Sequence, residues 1–271
     1  MSFIAASILD ADYGNIKFEI EDVDHAGVDM FTIDVMDNTF IPRITFGDYV
    51  VARIREWTDL PIDVHLMTLN PINWIEKMYN AGADIITFHL ESTDSPLDVI
   101  ERIKSYNLLP GIAVNFETPA YKLFPFLDKI ALANLLAVPT GFGGQPLQPK
   151  VIEKIEELKG KLTEINANVA IEVDGGVKEN NIREVALAGA DILTIGTGIY
   201  HTEDRLATVS RLKSILLKSI TDGENEKFLN LLTPRNLARN RTEEQVKRLK
   251  ELRDSLDNDP TIWEPRGSVN G

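Results

Sequence analysis

The chain has 271 residues, which suits one large α/β domain or two small ones. A hydrophobic fraction of 44% supports a substantial core, and a net charge of −14 argues against nucleic acid or an acidic membrane surface as a partner. The absence of cysteine excludes disulfides and thiolate chemistry. Residues 1–14 lack the basic start of a secretory signal, and no apolar run approaches the ~20 residues of a membrane span. A soluble, cytoplasmic protein is the resulting expectation.

Short β-branched runs alternate with helical stretches. The pattern predicts strands near 3–8, 30–34, 62–66, 84–88, 111–115, 133–138, 169–174 and 192–195. Amphipathic segments such as Pro71 to Asn80 and Pro149 to Lys161 lie between them. Gly27, Gly82 and Gly189 each close a helix just before a strand, where a left-handed residue ends the helical turn. The echo Ala26-Gly27-Val28-Asp29, Ala81-Gly82-Ala83-Asp84 and Ala188-Gly189-Ala190-Asp191 marks that junction three times. Eight such units match a (β/α)8 TIM barrel, with a doubly wound open sheet as the alternative.

The barrel domain is assigned to 1–221, ending in a helix from about 203 to 219. Residues 222–271 form an extension that is predicted to be helical. Thr242 followed by Gln245 reads as a capping box. Val246, Leu249, Leu252 and Leu256 then make one narrow apolar stripe, suited to packing on the barrel or on another subunit. A homo-oligomer is expected. Beyond Pro260 the tail reads as irregular, with Trp263 as its large apolar anchor.

Asp34 and Asp174 each stand where an apolar run stops, in Met30-Phe31-Thr32-Ile33-Asp34 and Val169-Ala170-Ile171-Glu172-Val173-Asp174. In a barrel the C-terminal strand ends converge on one mouth. Two carboxylates facing each other there could take a proton from one face of a substrate and return one to the other, inverting a carbon next to a carbonyl. Taken singly, Asp34 reads as a capping aspartate and His65 as a core histidine; together with Asp174 they read as a site. His89 reads as either a residue supporting the site from behind or, in preference, a filler of the barrel mouth, His25 and His201 as surface residues, and Asp37 as a loop cap.

Three glycine clusters follow strands six, seven and eight: Gly141-Phe142-Gly143-Gly144-Gln145, Gly175-Gly176 and Gly196-Thr197-Gly198. Glycine lets backbone N–H groups approach an anion closely. Each cluster alone reads as a turn. Three on adjacent loops make Gly143, Gly144, Gly175, Gly176, Gly196 and Thr197 the candidate phosphate site.

The sequence resembles the ribulose-phosphate 3-epimerase family over about residues 3–220. The resemblance is carried by Ala6-Ser7-Ile8-Leu9, Ile33-Asp34-Val35-Met36-Asp37, Asp63-Val64-His65-Leu66-Met67, the loop Gly141 to Gln145, and Glu172-Val173-Asp174-Gly175-Gly176. It implies that Asp34 and Asp174 are the acid/base pair and that both ligate a metal together with His65. It implies that Ser7 touches the substrate and that Met36 and Met67 line the reaction centre. The implied substrate is a ketose phosphate, most often D-ribulose 5-phosphate converted to D-xylulose 5-phosphate through a metal-stabilised enediolate.

Departures from the family pattern gather around strand two. Thr32 stands where the family has a metal-binding histidine, Asn38-Thr39 replaces Gly-His, and Arg43 replaces asparagine. Pro139-Thr140 replaces Asn-Pro, and Leu136 stands for a third methionine. One divalent ion (Zn, Mn or Fe) is expected, bound weakly because Thr32 is a poor ligand. A hexulose or tetrulose phosphate is an alternative substrate, and a non-catalytic sugar-phosphate-binding or scaffold protein is an alternative function. A barrel decarboxylase is disfavoured, because no lysine occurs between Lys17 and Lys77 to serve its D-x-K-x-x-D strand motif.

Overall fold

The computed structural model describes residues 2–141 and 143–217. Eight parallel strands close in chain order into one barrel. They are β1 (Phe3–Ser7), β2 (Met30–Met36), β3 (Ile62–Met67), β4 (Ile85–His89), β5 (Leu109–Val114), β6 (Leu132–Leu136), β7 (Ala170–Asp174) and β8 (Ile192–Ile195). The helices are α1 (Ile16–Ala26), α2 (Asp48–Trp57), α3 (Ile75–Asn80), α4 (Pro96–Ser105), α5 (Lys150–Glu164), α6 (Ile182–Ala188), α7 (Thr197–Tyr200) and α8 (Arg205–Leu217). The TIM-barrel expectation therefore holds, and the open sheet is excluded by the pairing of β1 with β8. The capping box, the apolar stripe and Trp263 lie outside the described residues. No described helix is long and apolar enough to cross a membrane.

Two details differ from the predicted elements. The segment Pro71 to Asn80 is not one helix. A 3-10 turn at Pro71–Asn73 follows left-handed Asn70, and α3 begins only at Ile75. Between β5 and β6 a 3-10 run, Ala120–Phe126, replaces an α-helix, and Pro125 inside it denies the backbone an α-helical donor.

Strand side chains alternate between two environments. Ile4, Ile33, Val64, Ile86, Ile112, Leu135, Val173 and Leu193 share one buried cluster with helix residues such as Val23, Ile54, Ile100, Leu158 and Val209. Ala5, Met30, Ile85, Leu132, Ala170 and Ile192 form a separate apolar cluster that plugs one end of the barrel interior. Above the plug the interior turns polar. Asp63 accepts from Thr87 Oγ1 at 3.0 and 2.9 Å, and Glu172 Oε1 accepts from Thr194 Oγ1 at 2.5 Å. Burial, and then the charge of Asp63, pushes the Glu172 carboxyl well above the usual carboxylate range.

The repeated Ala-Gly-x-Asp junction has a mechanical role. Gly27, Gly82 and Gly189 take φ of 90, 93 and 119°, a region costly for any residue with a Cβ. The aspartate that follows then reaches back to the foot of the preceding strand. Asp29 Oδ2 accepts from Ile4 N at 2.9 Å, Asp84 Oδ2 from Ile62 N at 3.0 Å, and Asp191 Oδ2 from Ile171 N at 2.9 Å. Each motif thus ends a helix and pins two adjacent strands in register. Arg205 of α8 closes the seam, pairing with Glu19 at 2.7 Å and Asp22 at 3.0 Å on α1.

Candidate active site

Period-two alternation sends Asp34, His65 and Asp174 into the barrel from β2, β3 and β7, one level above the polar layer. His65 Nδ1 lies 2.9 Å from Asp34 Oδ1 and 3.7 Å from Asp174 Oδ2. Ser7 Oγ donates to Asp34 Oδ2 at 3.0 Å. Asp34 and His65 are buried, and Asp174 is open enough to face the cavity. The sequence thus brings together the three residues assigned to the metal and the serine assigned to the substrate.

The electrostatics of this cluster follow from crowding two carboxylates and an imidazole away from water. Burial favours the neutral His65 ring, but the hydrogen bond and charge of Asp34, with Asp174 behind it, outweigh burial and raise its pKa. Burial, then the charge of Asp34, raises the Asp174 carboxyl above the ordinary aspartate range. A carboxyl pushed toward neutrality beside a second carboxylate is the arrangement that lets one group give a proton while the other accepts one.

Three side chains that could each offer one ligand atom to a cation lie together here: the candidate atoms of Asp34, His65 and Asp174 fall within 4.8 Å of one another. Two carboxylates and an imidazole form a borderline donor set that fits one divalent transition ion with positions left open. Thr32 is buried on the same face of β2, and its Oγ1 has no hydrogen-bond partner among the described residues.

His89 is not a filler of the mouth. Its Nε2 stands 3.0 Å from Nε2 of His65, and its Nδ1 lies 3.4 Å from Glu91 Oε2. Burial drives His89 down to about 4, whereas the contacts of Glu91 with His89, Thr118 and Asn115 overcome burial and take it down to about 2. A charged Glu91 favours a proton on His89 Nδ1, although that atom has no hydrogen-bond partner among the described residues, and this would leave His89 Nε2 to accept from His65. Sequence reasoning missed Glu91. The only available signal was its position two residues beyond His89 at the end of a strand.

The rest of the cavity is made by loops. Ser7, Asp34, Met36, Met67 and Asp174 line it at one end, and Gly143, Gly144, Gly175, Gly176, Gly196 and Thr197 at the other. Met36 and Met67 pack with Ile41 into a small apolar cluster that Leu9 and Phe40 extend. The strand-two loop is held by Thr45, whose Oγ1 accepts from Met36 N at 2.9 Å and donates to the Asp34 carbonyl at 2.5 Å. Arg43 Nη1 reaches the Gly141 carbonyl at 2.8 Å and ties this loop to the strand-six loop. Asp37 is a loop cap as expected, accepting from Thr39 N at 3.0 Å. Asp10, which sequence reasoning did not single out, also lines the cavity. His25 and His201 are exposed, as expected.

The fold and this site define a (β/α)8 barrel with two carboxylates and a histidine gathered at the C-terminal mouth of its strands. Residues 3–200 match the ribulose-phosphate 3 epimerase family. The ribulose-phosphate 3-epimerase of Aquifex aeolicus is 37% identical over 221 residues, covering 82% of this chain and all of that one. That of Bacillus subtilis is 38% identical over 211 residues, covering 78% and 97%. The chain belongs to the ribulose-phosphate 3-epimerase family and is an isomerase of the epimerase class. Its fold is also similar to that of KGPDC from Streptococcus mutans, with a TM-score of 0.62, 14% identity and coverage of 82% and 100%. The orotidine 5'-phosphate decarboxylase of Pyrococcus horikoshii is similar at a TM-score of 0.58, 16% identity and coverage of 79% and 99%.

Proposed function

We propose that the protein inverts carbon 3 of a ketose phosphate, D-ribulose 5-phosphate to D-xylulose 5-phosphate being the leading pair. The observation that carries this is the approach of both Asp34 and Asp174 to His65 Nδ1, at 2.9 and 3.7 Å, in one cavity with the glycine loops. One aspartate removes the proton on carbon 3 and leaves a planar enediolate. The other returns a proton to the opposite face, and exchanging their roles runs the reaction backwards.

The remaining residues prepare that exchange. Ser7 holds Asp34 by its hydrogen bond and presents a hydroxyl to the substrate. Met36 and Met67 cover the reacting carbon with apolar surface, which keeps bulk water from protonating the enediolate indiscriminately. Gly143, Gly144, Gly175, Gly176, Gly196 and Thr197 receive the phosphate through backbone N–H groups. Asp34, His65 and Asp174 would hold one divalent ion of the Zn, Mn or Fe type, which when bound supplies Lewis-acid stabilisation of negative charge on the substrate oxygens.

The test is incubation with D-ribulose 5-phosphate in deuterated water, followed by NMR. Exchange at carbon 3 together with appearance of D-xylulose 5-phosphate is expected. Absence of both, with hexulose and tetrulose phosphates equally inert, would reject the reading.

A further inference from the structure

The cradle assigned to phosphate already contains an anion that belongs to the chain. Asp10 follows β1 and turns its side chain into the cavity. Its Oδ2 accepts the backbone N–H of Thr197 at 3.0 Å. The glycines on both sides are as close as backbone allows. A methyl group on Gly143 would collide with Asp10 Oδ1, and one on Gly196 would collide with Oδ2. The carboxylate therefore sits between the loops that follow β6 and β8, on a donor that a phosphate oxygen would need. The neighbouring charges offset it only in part: His201 and Lys178 favour the carboxylate, Asp34 opposes it, and burial outweighs them. Lys178 and His201 are nearby and exposed, while Asp34 lies on the other side.

We infer that Asp10 is a specificity-determining residue, whose carboxylate holds the anion position of the Gly143, Gly196 and Thr197 cradle and must be displaced before a substrate phosphate can bind there. A phosphate dianion and a carboxylate cannot share one N–H, and in a partly desolvated cleft their repulsion is only weakly screened. The cradle is thereby biased against dianionic phosphate relative to a neutral hydroxyl at the same end of a sugar. Burial raises the Asp10 carboxyl, which marks the position as an uncomfortable one for a fixed charge. This inference rests on the reading of the glycine loops as the end of the cavity that receives the substrate's phosphate.

The experiment compares the full-length, metal-loaded wild type with Asp10→Asn and Asp10→Ala. Asp10→Asn keeps an acceptor for Thr197 N–H and removes the charge; Asp10→Ala removes both. Inorganic phosphate is titrated calorimetrically into each protein, and KM is measured for ribulose 5-phosphate and for unphosphorylated ribulose. At least tenfold tighter phosphate binding is expected in both variants, with a matching fall in KM for the phosphorylated sugar and none for the neutral one. Equal or weaker phosphate binding in either variant would overturn the inference and reduce Asp10 to an anchor of the loop after β1. Carbon-3 exchange in the wild type is scored separately. If exchange is absent while phosphate still binds more tightly to the variants, the epimerase reading fails and the role of Asp10 stands.

Discussion

Nε2 of His65 faces Nε2 of His89 at 3.0 Å, with the two rings inclined by only 17°. One nitrogen must donate and the other accept, so the tautomer of either ring sets that of its neighbour. Glu91 favours one direction: its carboxylate lies 3.4 Å from His89 Nδ1, outside hydrogen-bond geometry but close enough to favour a proton on that nitrogen. His65 is left with Nδ1 turned toward Asp34 and Asp174. That is the orientation a ligand ring needs, and a partner on the far nitrogen is what normally holds it.

Glu91→Gln and His89→Leu should therefore weaken metal affinity by about 10–100-fold while leaving Asp34, His65 and Asp174 in place. A competitive titration against a chromophoric chelator measures this. Affinity equal to wild type in both variants would show that His65 is oriented by packing alone.

Asp34→Asn and Asp174→Asn should each reduce turnover by at least about 10²–10⁴-fold, the usual contribution of a positioned acid or base. The two are distinguishable by direction. Losing one base should leave proton exchange from one epimer more intact than from the other. Near-normal epimerisation by either variant would contradict the two-base assignment.

Thr32→His should tighten the metal. Thr32 is two residues before Asp34 on the same face of β2, and its hydroxyl makes no hydrogen bond among the described residues. Imidazole is a far better ligand than a neutral hydroxyl for a borderline ion. The chelator titration is run on both proteins with a thermal melt as the folding control. Equal metal retention would mean that position 32 does not reach the ion.

The metal-free protein should lose stability as pH rises from about 5 to about 8. Asp63, Glu172, Asp174 and Asp191 are all raised, each chiefly by burial, Asp191 to about 6. A raised folded-state value means that the folded protein binds more protons. The contribution is complete below the ordinary value near 3.8 to 4.5 and fades as pH passes the folded one. His65, also raised, adds to the same trend at higher pH. Glu91 is lowered to about 2 and acts only below this window, whereas His89, lowered to about 4 by burial, opposes the trend in the lower part of it without matching the several raised groups. Divalent metal reverses the trend, because it must displace the His65 proton and so binds more tightly as pH rises. Melting temperatures of metal-free and metal-loaded protein across the range test both signs.

Gly176→Ala should destabilise the fold by more than about 1 kcal/mol, not merely raise KM. Its φ is 71°, and an added Cβ would strike the backbone of Leu147. Gly144 has a comparable φ of 75° but only a Thr197 methyl at 3.6 Å, so it is the better position for testing the phosphate loop. Melts of the two variants compared with wild type decide the matter. Equal stability of Gly176→Ala and wild type would show that the loop can relax.

Much of this protein was legible in its sequence, because the responsible signals are local. β-Branched runs at regular spacing, helix-ending Gly27, Gly82 and Gly189, and carboxylates where apolar runs stop depend on a residue's own conformational preferences and on a period of two or 3.6. Those rules, with the family resemblance, placed Ser7, Asp34, His65 and Asp174 at one mouth. What escaped were relationships between side chains distant in sequence. That Glu91 stands beside His89, that Asp29, Asp84 and Asp191 each pin the strand before, and that Asp10 lies on the N–H of Thr197 are set by barrel closure, 187 residues separating the last pair. Local preference carries no information about such contacts. They exist because closing the sheet leaves each buried donor with few available acceptors, and the tertiary structure alone decides which of them meet.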